Sequence, residues 1–129
     1  MIYNEYRISY YKNSRNGKKP VYEYILRLDK KDKAKIFKYF DYLVTNNGYL
    51  DEPYSKHVKN KIRELRVDFA NSHHRIFYFT FINKNIILLH AFLKKTAKTP
   101  EQEIKRALVN YYDTINNQKL YEQENEKTY

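Results

Sequence analysis

The chain contains no cysteine, which removes disulfide frameworks, thiol nucleophiles and cysteine metal sites together. No stretch approaches the roughly 18 to 20 apolar residues of a membrane span. The N-terminal run MIYNEYRISYYKNSRNGKK carries charge where a signal peptide needs an apolar core. Internal repeats and domain linkers are also missing, and the one biased segment is the polar end NNQKLYEQENEKTY. These absences lead us to expect a soluble, cytoplasmic protein with no membrane partner. Four histidines without a cysteine make no persuasive metal site, so neither a metal nor another cofactor is expected. At 129 residues the chain has the length of one domain, expected over residues 1–117 with a polar tail at 118–129.

What is abundant is positive charge and tyrosine. Lys and Arg number 25 against 15 Asp and Glu, giving a formal charge of +10 and a pI near 9.6. That balance favours a polyanionic partner, nucleic acid first and an acidic protein second; a merely solvated lysine surface is the competing explanation. The 15 Tyr and 7 Phe supply much of the apolar content, so the core should be built from rings whose hydroxyls reach polar edges or water.

Periodicity divides the chain into seven segments. Alternating Tyr and Ile over Tyr3 to Tyr11 predict a strand that ends at the turn residues Asn13 to Gly17. Pro20 suits a first helical position, and Val21, Tyr24, Ile25 and Leu28 share one helical face. Asp29 is the expected N-cap of a second helix with Asp32 in its first turn; Ile36, Phe37, Phe40, Leu43 and Val44 form its stripe, and Asn46 to Gly48 end it. Leu50 to Asn60 has no clean period and contains Pro53, which predicts a loop, and Asp68 to Ser72 reads as a second one. Between them Ile62 to Val67 alternates as a strand with a charged side chain on each face. Thr99, Pro100 and Gln102 have capping-box spacing, followed by the apolar face Ile104, Ala107, Leu108, Tyr111 and Ile115.

His74 to Phe81 and Ile86 to Leu93 are the strongest strands, joined by a turn within Ile82 to Asn85. A two-residue loop at Asn83 and Lys84 sets Phe77 opposite His90 and Arg75 opposite Phe92; one at Lys84 and Asn85 sets Arg75 opposite Lys94. Any even-numbered loop leaves Arg75 and His90 on the same sheet face, because side chains alternate with period two. The order β-α-α-β-β-β-α predicts an α+β domain, its mainly antiparallel sheet covered on one face by a helical hairpin and completed by a C-terminal helix.

Several stretches then carry more than a pattern: Tyr54 to Lys59, Glu64 to Arg66, Arg75 to Phe79, and above all Leu88 to Thr96 with Lys98, Thr99, Pro100, Glu103 and Ile104. Over roughly Tyr54 to Leu108 the chain resembles the phage-derived HigB-like branch of the RelE/ParE toxin superfamily. The resemblance implies a RelE-like fold and the toxin of a type II toxin-antitoxin pair, an endoribonuclease that cuts mRNA in the ribosomal A site. It also implies a helix-turn-helix antitoxin as partner, beside the ribosome and mRNA. ParE relatives instead act on DNA gyrase, and a non-catalytic RNA- or protein-binding domain is a third reading.

Metal-free cleavage would use the RNA's own 2′-hydroxyl to attack the adjacent phosphorus, so the protein must orient the reacting atoms, move protons and stabilise negative charge. Arg75 matches the family arginine that opens this strand and is the first choice as phosphate clamp, with Arg66 second. Lys94 and Lys95 match the family's basic pair after the last strand, and His90 is a candidate acid or base among apolar neighbours that equally suit a buried neutral imidazole. Lys56, His57, Lys59 and Lys98 are candidate RNA contacts, and the pair His73 and His74 reads as hairpin-edge surface. RelE toxins proper carry a lysine where Glu64 stands and a tyrosine near the start of the last helix. Glu101 and Glu103 are the carboxylates that could replace that tyrosine as base, and helix capping and the dipole also explain both.

Overall fold

Five strands assemble into one sheet in a computed structural model that describes residues 5–81 and 84–122. The elements are β1 (Arg7–Tyr10), α1 (Pro20–Leu26), α2 (Lys30–Thr45), β2 (Ser55–Lys59), β3 (Ile62–Phe69), β4 (Ser72–Thr80), β5 (Asn85–Leu93) and α3 (Glu101–Asn116). Spatial order is β1-β5-β4-β3-β2. β1 joins parallel to β5 and every other pairing is antiparallel, so the sheet is mixed and the fold is α+β as expected.

Each face has its own core. Val21 and Ile25 of α1 and Ile36, Phe40 and Leu43 of α2 pack on Leu65, Val67, Ile76, Tyr78 and Leu88. Ala107 of α3, with partly buried Ile104, Leu108 and Tyr111, covers Ile62, Phe77, Phe79, Leu89 and Phe92 on the other face. The helical stripes read from spacing are therefore the stripes that bury, as expected for amphipathic helices on a sheet. Asp29 caps α2 as its position implied, its carboxylate accepting the Asp32 N–H at 3.0 Å.

Four local expectations are corrected. Ser55–Lys59, expected inside a loop, is an edge strand, because Ser55 fits opposite Leu65 and its hydroxyl meets buried Tyr78 at 2.8 Å. Asp68 and Ser72 lie in strands rather than in a loop: the β3–β4 connection narrows to Ala70 and Asn71, with Ala70 left-handed at φ 54°. Thr99 does not cap α3; Pro100 occupies that position and the Thr99 hydroxyl goes to a buried carboxylate instead. His74, expected at the surface beside His73, is 1% exposed. Its ring joins both helices to the sheet, Nδ1 meeting the Tyr24 hydroxyl at 2.7 Å and Nε2 the Asp32 carboxylate at 2.7 Å. The chain beyond Asn117 also begins packed, since Gln118–Tyr121 forms a 3-10 turn and Tyr121 is buried, its hydroxyl accepting the Lys12 N–H at 3.0 Å.

The β4–β5 hairpin reaches the expected pairing by another route. Phe77 faces His90 and Arg75 faces Phe92, but nearer the loop Tyr78 pairs with Leu88 and Phe79 with Ile87. Leu89 is the extra residue of a bulge, so Leu89 and His90 both belong to the α3 face. At the loop Phe81 donates to Asn85 at 2.8 Å and Lys84 donates to Phe81 at 3.1 Å, which leaves an odd-numbered connection, residues 82–84. Ile82 and Asn83 of the expected turn, and Tyr3 and Asn4 of the expected first strand, lie outside the described residues. Odd loop and bulge each shift the alternation by one, and together they restore it.

Two stability measurements follow from this packing. Gly48 ends α2 at φ +78°, and a Cβ there would stand 2.5 Å from Thr80 Oγ1, whereas one on Gly17 at φ +75° would meet nothing within 4 Å. Gly48→Ala should therefore cost about 1–3 kcal/mol and Gly17→Ala about 1 kcal/mol in urea titrations, the difference reporting the contact. Burial, then the charge of Asp32, pushes the Tyr24 phenol up to about 12. A phenol held neutral by folding contributes fully below its unfolded value near pH ~10 and loses that contribution as pH rises towards its folded value. The urea midpoint should fall over that window, and less steeply in Tyr24→Phe.

Candidate functional site

The α3 face of the sheet changes character along its strands. Near α3 it presents Phe77, Phe79, Leu89 and Phe92; towards the β3–β4 turn it presents Glu64, Arg66, Asp68 and Arg75. Arg66 and Arg75 are direct cross-strand partners, an arrangement in which like charges repel. Each is held by its own carboxylate. Arg66 Nε donates to Glu64 Oε1 at 3.2 Å, and Arg75 Nη1 donates to Asp68 Oδ1 at 2.7 Å and to the His74 carbonyl at 3.1 Å.

Arg75 is buried, 7% exposed, and its Nε has no hydrogen-bond partner among the described residues. An unpaired buried guanidinium nitrogen is costly and marks a place where an acceptor is wanted. The residue lines a cleft of about 440 Å³ with Asp68, His73, Lys94, Lys95, Thr96 and Ala97. Lys94 leaves β5 with its N–H on the His73 carbonyl at 2.8 Å, which places the start of the lysine segment beside β4. Thr96 Oγ1 donates to the Lys98 carbonyl at 2.7 Å and shapes the exposed turn between them.

The residues singled out from sequence are thus divided. Arg75, Lys94 and Lys95 share the cleft, and Arg66 adjoins Arg75 across the ladder. Lys56 pairs with Glu64 across β2–β3 and so lies on the same face; Lys98 is exposed in the turn before α3. His57 and Lys59 lie towards the other end of β3, near the β2–β3 turn, and His57 Nε2 meets the Asn60 carbonyl at 2.7 Å. His90 shares the face of Arg75 but not its cleft. Its Nε2 meets Glu103 Oε1 at 2.6 Å, its ring stacks on Phe77 and Phe92 at 6.3 and 6.1 Å, and it lines a separate groove of about 580 Å³ with Lys18, Lys105 and Arg106. Glu103 is thereby committed to His90, with Arg106 Nη1 at 3.5 Å from the same oxygen.

Two cleft residues were not selected from sequence. Asp68 and His73 were assigned to loop and surface, yet they are cross-strand partners whose side chains meet at 3.1 Å, Nδ1 to Oδ1. The tight turn at Ala70 and Asn71 fixes the register that brings them together. Among the described residues no group of three or more His, Asp or Glu is arranged to hold a metal ion, and no helix is long and apolar enough to cross a membrane.

A mixed sheet between a helical pair and one long helix, with arginines and lysines gathered at one end of one face, is a small basic α+β domain of the RelE/HigB toxin-like group. The chain belongs to the family described as Phage derived protein Gp49-like (DUF891), whose family model matches residues 23–112 and which is part of that group. No curated protein matches it significantly.

Partial burial raises the Asp68 carboxyl, but the hydrogen bonds and charges of Arg75 and His73 outweigh it and hold the group below the usual carboxylate range. A depressed folded value adds stability above the unfolded value near pH ~4, and that stability is lost as pH falls through the folded one. Urea midpoints should therefore drop below about pH 4 in the wild type and drop less in Asp68→Asn, which starts lower at neutral pH.

Proposed function

We propose that this chain is the toxin of a type II toxin-antitoxin pair, neutralised by a helix-turn-helix antitoxin, and that it cleaves mRNA on the ribosome without a metal. The observation that carries the reading is the cleft that buried Arg75, its Nε without a hydrogen-bond partner, lines together with Lys94 and Lys95. A phosphate is the acceptor that such a cluster suits, by charge and by the fork geometry of guanidinium. Family membership supports the toxin class.

In this reading the 2′-oxygen attacks the neighbouring phosphorus, the bond to the 5′-oxygen breaks, and a cyclic phosphate and a 5′-hydroxyl remain. Arg75 and the two lysines stabilise the added negative charge, the effect that dominates when little else is covalent. Arg66 presents a second guanidinium beside the first, and Lys56 and Lys98 take flanking phosphates. In this reading His73, which lines the cleft with Nδ1 on Asp68, moves the proton rather than His90; its position in the cleft supports that choice. His90, fixed on Glu103 between rings, ties β5 to α3.

Purified protein added to programmed ribosomes should generate new mRNA 5′ ends. Arg75→Ala and Lys95→Ala should each lower the rate roughly 100- to 1,000-fold, the effect of removing one oxyanion-type donor. Gyrase inhibition without new ends would replace the nuclease by the ParE-like activity.

A further inference from the structure

We propose that Glu64 is the positioning residue of the cationic end of the sheet, holding Arg66 with one oxygen and the end of the lysine segment with the other. The inference deepens the reading above and rests on it for the identity of the bound anion. Glu64 is 2% exposed, in the middle of β3. Its Oε1 accepts Arg66 Nε at 3.2 Å and its Oε2 accepts Thr99 Oγ1 at 2.9 Å.

These two bonds reach the two kinds of cation that the site uses. Holding a guanidinium by Nε leaves its two terminal nitrogens to point away from the strand, and Arg66 is in fact partly exposed. Thr99 is the last residue before Pro100 caps α3, so its hydroxyl fixes the far end of the segment that begins with Lys94 on the His73 carbonyl. The segment is therefore fastened to β4 at its start and to β3 at its end. Its lysines have no comparable fastening of their own: Lys95 and Lys98 are exposed. A buried carboxylate beneath a cationic segment also attracts it by charge, without reaching the solvent where RNA would compete for it.

The hydroxyl of Thr99 has the alternative of capping α3, which its sequence position favours, and it is used on Glu64 instead. A capping hydroxyl would order the helix; this one orders the segment before it. Glu64 thus sets where the lysines stand relative to Arg75, which a merely stabilising carboxylate need not do.

Thr99→Val removes the hydroxyl at nearly constant shape, and Thr99→Ser keeps it. Two readouts are taken for each variant: the cleavage rate on programmed ribosomes and the salt dependence of binding to a single-stranded oligoribonucleotide. Thr99→Val should slow cleavage about tenfold or more and lower the salt slope by the equivalent of about one phosphate contact, with Thr99→Ser close to wild type in both. Lys95→Ala combined with Thr99→Val should be less than additive, because both act through one segment. Glu64→Met, which keeps the side-chain length and offers neither oxygen, should lose both tethers' effect and exceed Thr99→Val. Wild-type cleavage rate and salt slope in Thr99→Val would overturn the positioning role and leave the nuclease reading standing. A wild-type protein that cuts nothing on ribosomes, but whose RNA salt slope Thr99→Val lowers, would overturn the nuclease and keep Glu64. Additivity with Lys95→Ala would reduce Thr99 to a stabilising contact and overturn the proposal.

Discussion

Two arginines face each other across β3 and β4, and the basic end of the sheet is arranged around that repulsion. Arg66 and Arg75 occupy one rung of the ladder, where unlike charges or apolar pairs would be stabilising and like charges are not. The strands accommodate them because the neighbouring rungs supply carboxylates on the same face, Glu64 on one side and Asp68 on the other. The compensation is incomplete by design of the geometry: Asp68 satisfies Nη1 of Arg75 and leaves Nε without a partner. Each arginine's charge is therefore met by one carboxylate, while one donor of Arg75 is left without a partner.

The aromatic layer keeps this charge at one end. Phe92 lies beside Arg75 on the arginine rung and Phe77 on the next rung of the same face, their ring centres 5.7 Å apart, and His90 is stacked against both. The bulge at Leu89 is what puts His90 into the layer; without it Leu89 alone would face α3 and His90 would point at the helical pair. Glu103 then finds the imidazole at 2.6 Å and is withdrawn from any role in the cleft.

The helical pair depends on a second buried polar group. His74 precedes Arg75 and so points to the opposite face, where Tyr24 and Asp32 each take one ring nitrogen. One strand thus sends a histidine to fasten the helices and, from the next residue, an arginine to the cleft. Consecutive residues of β4 serve the helical pair and the cleft in turn, and the period of two keeps them on opposite faces.

Much of this was legible in order of residues. The apolar stripes of all three helices, the Asp29 cap and the grouping of Lys94 and Lys95 follow from spacing alone, because each depends on near neighbours. The edge strand β2, the two-residue turn at Ala70 and Asn71, the bulge at Leu89 and the use of Thr99 on Glu64 do not, because each is decided by a partner distant in the chain. The pairing of Arg75 with Phe92 and of Phe77 with His90 was one of two registers that an even loop allowed, and it is reached through an odd loop and a bulge. The sequence by itself determined a basic, tyrosine-rich α+β chain whose cations follow its last strand. Only the tertiary structure decided that Asp68 and His73 join those cations while His90 leaves them, since cross-strand register and buried hydrogen bonds, not composition, choose which side chains meet.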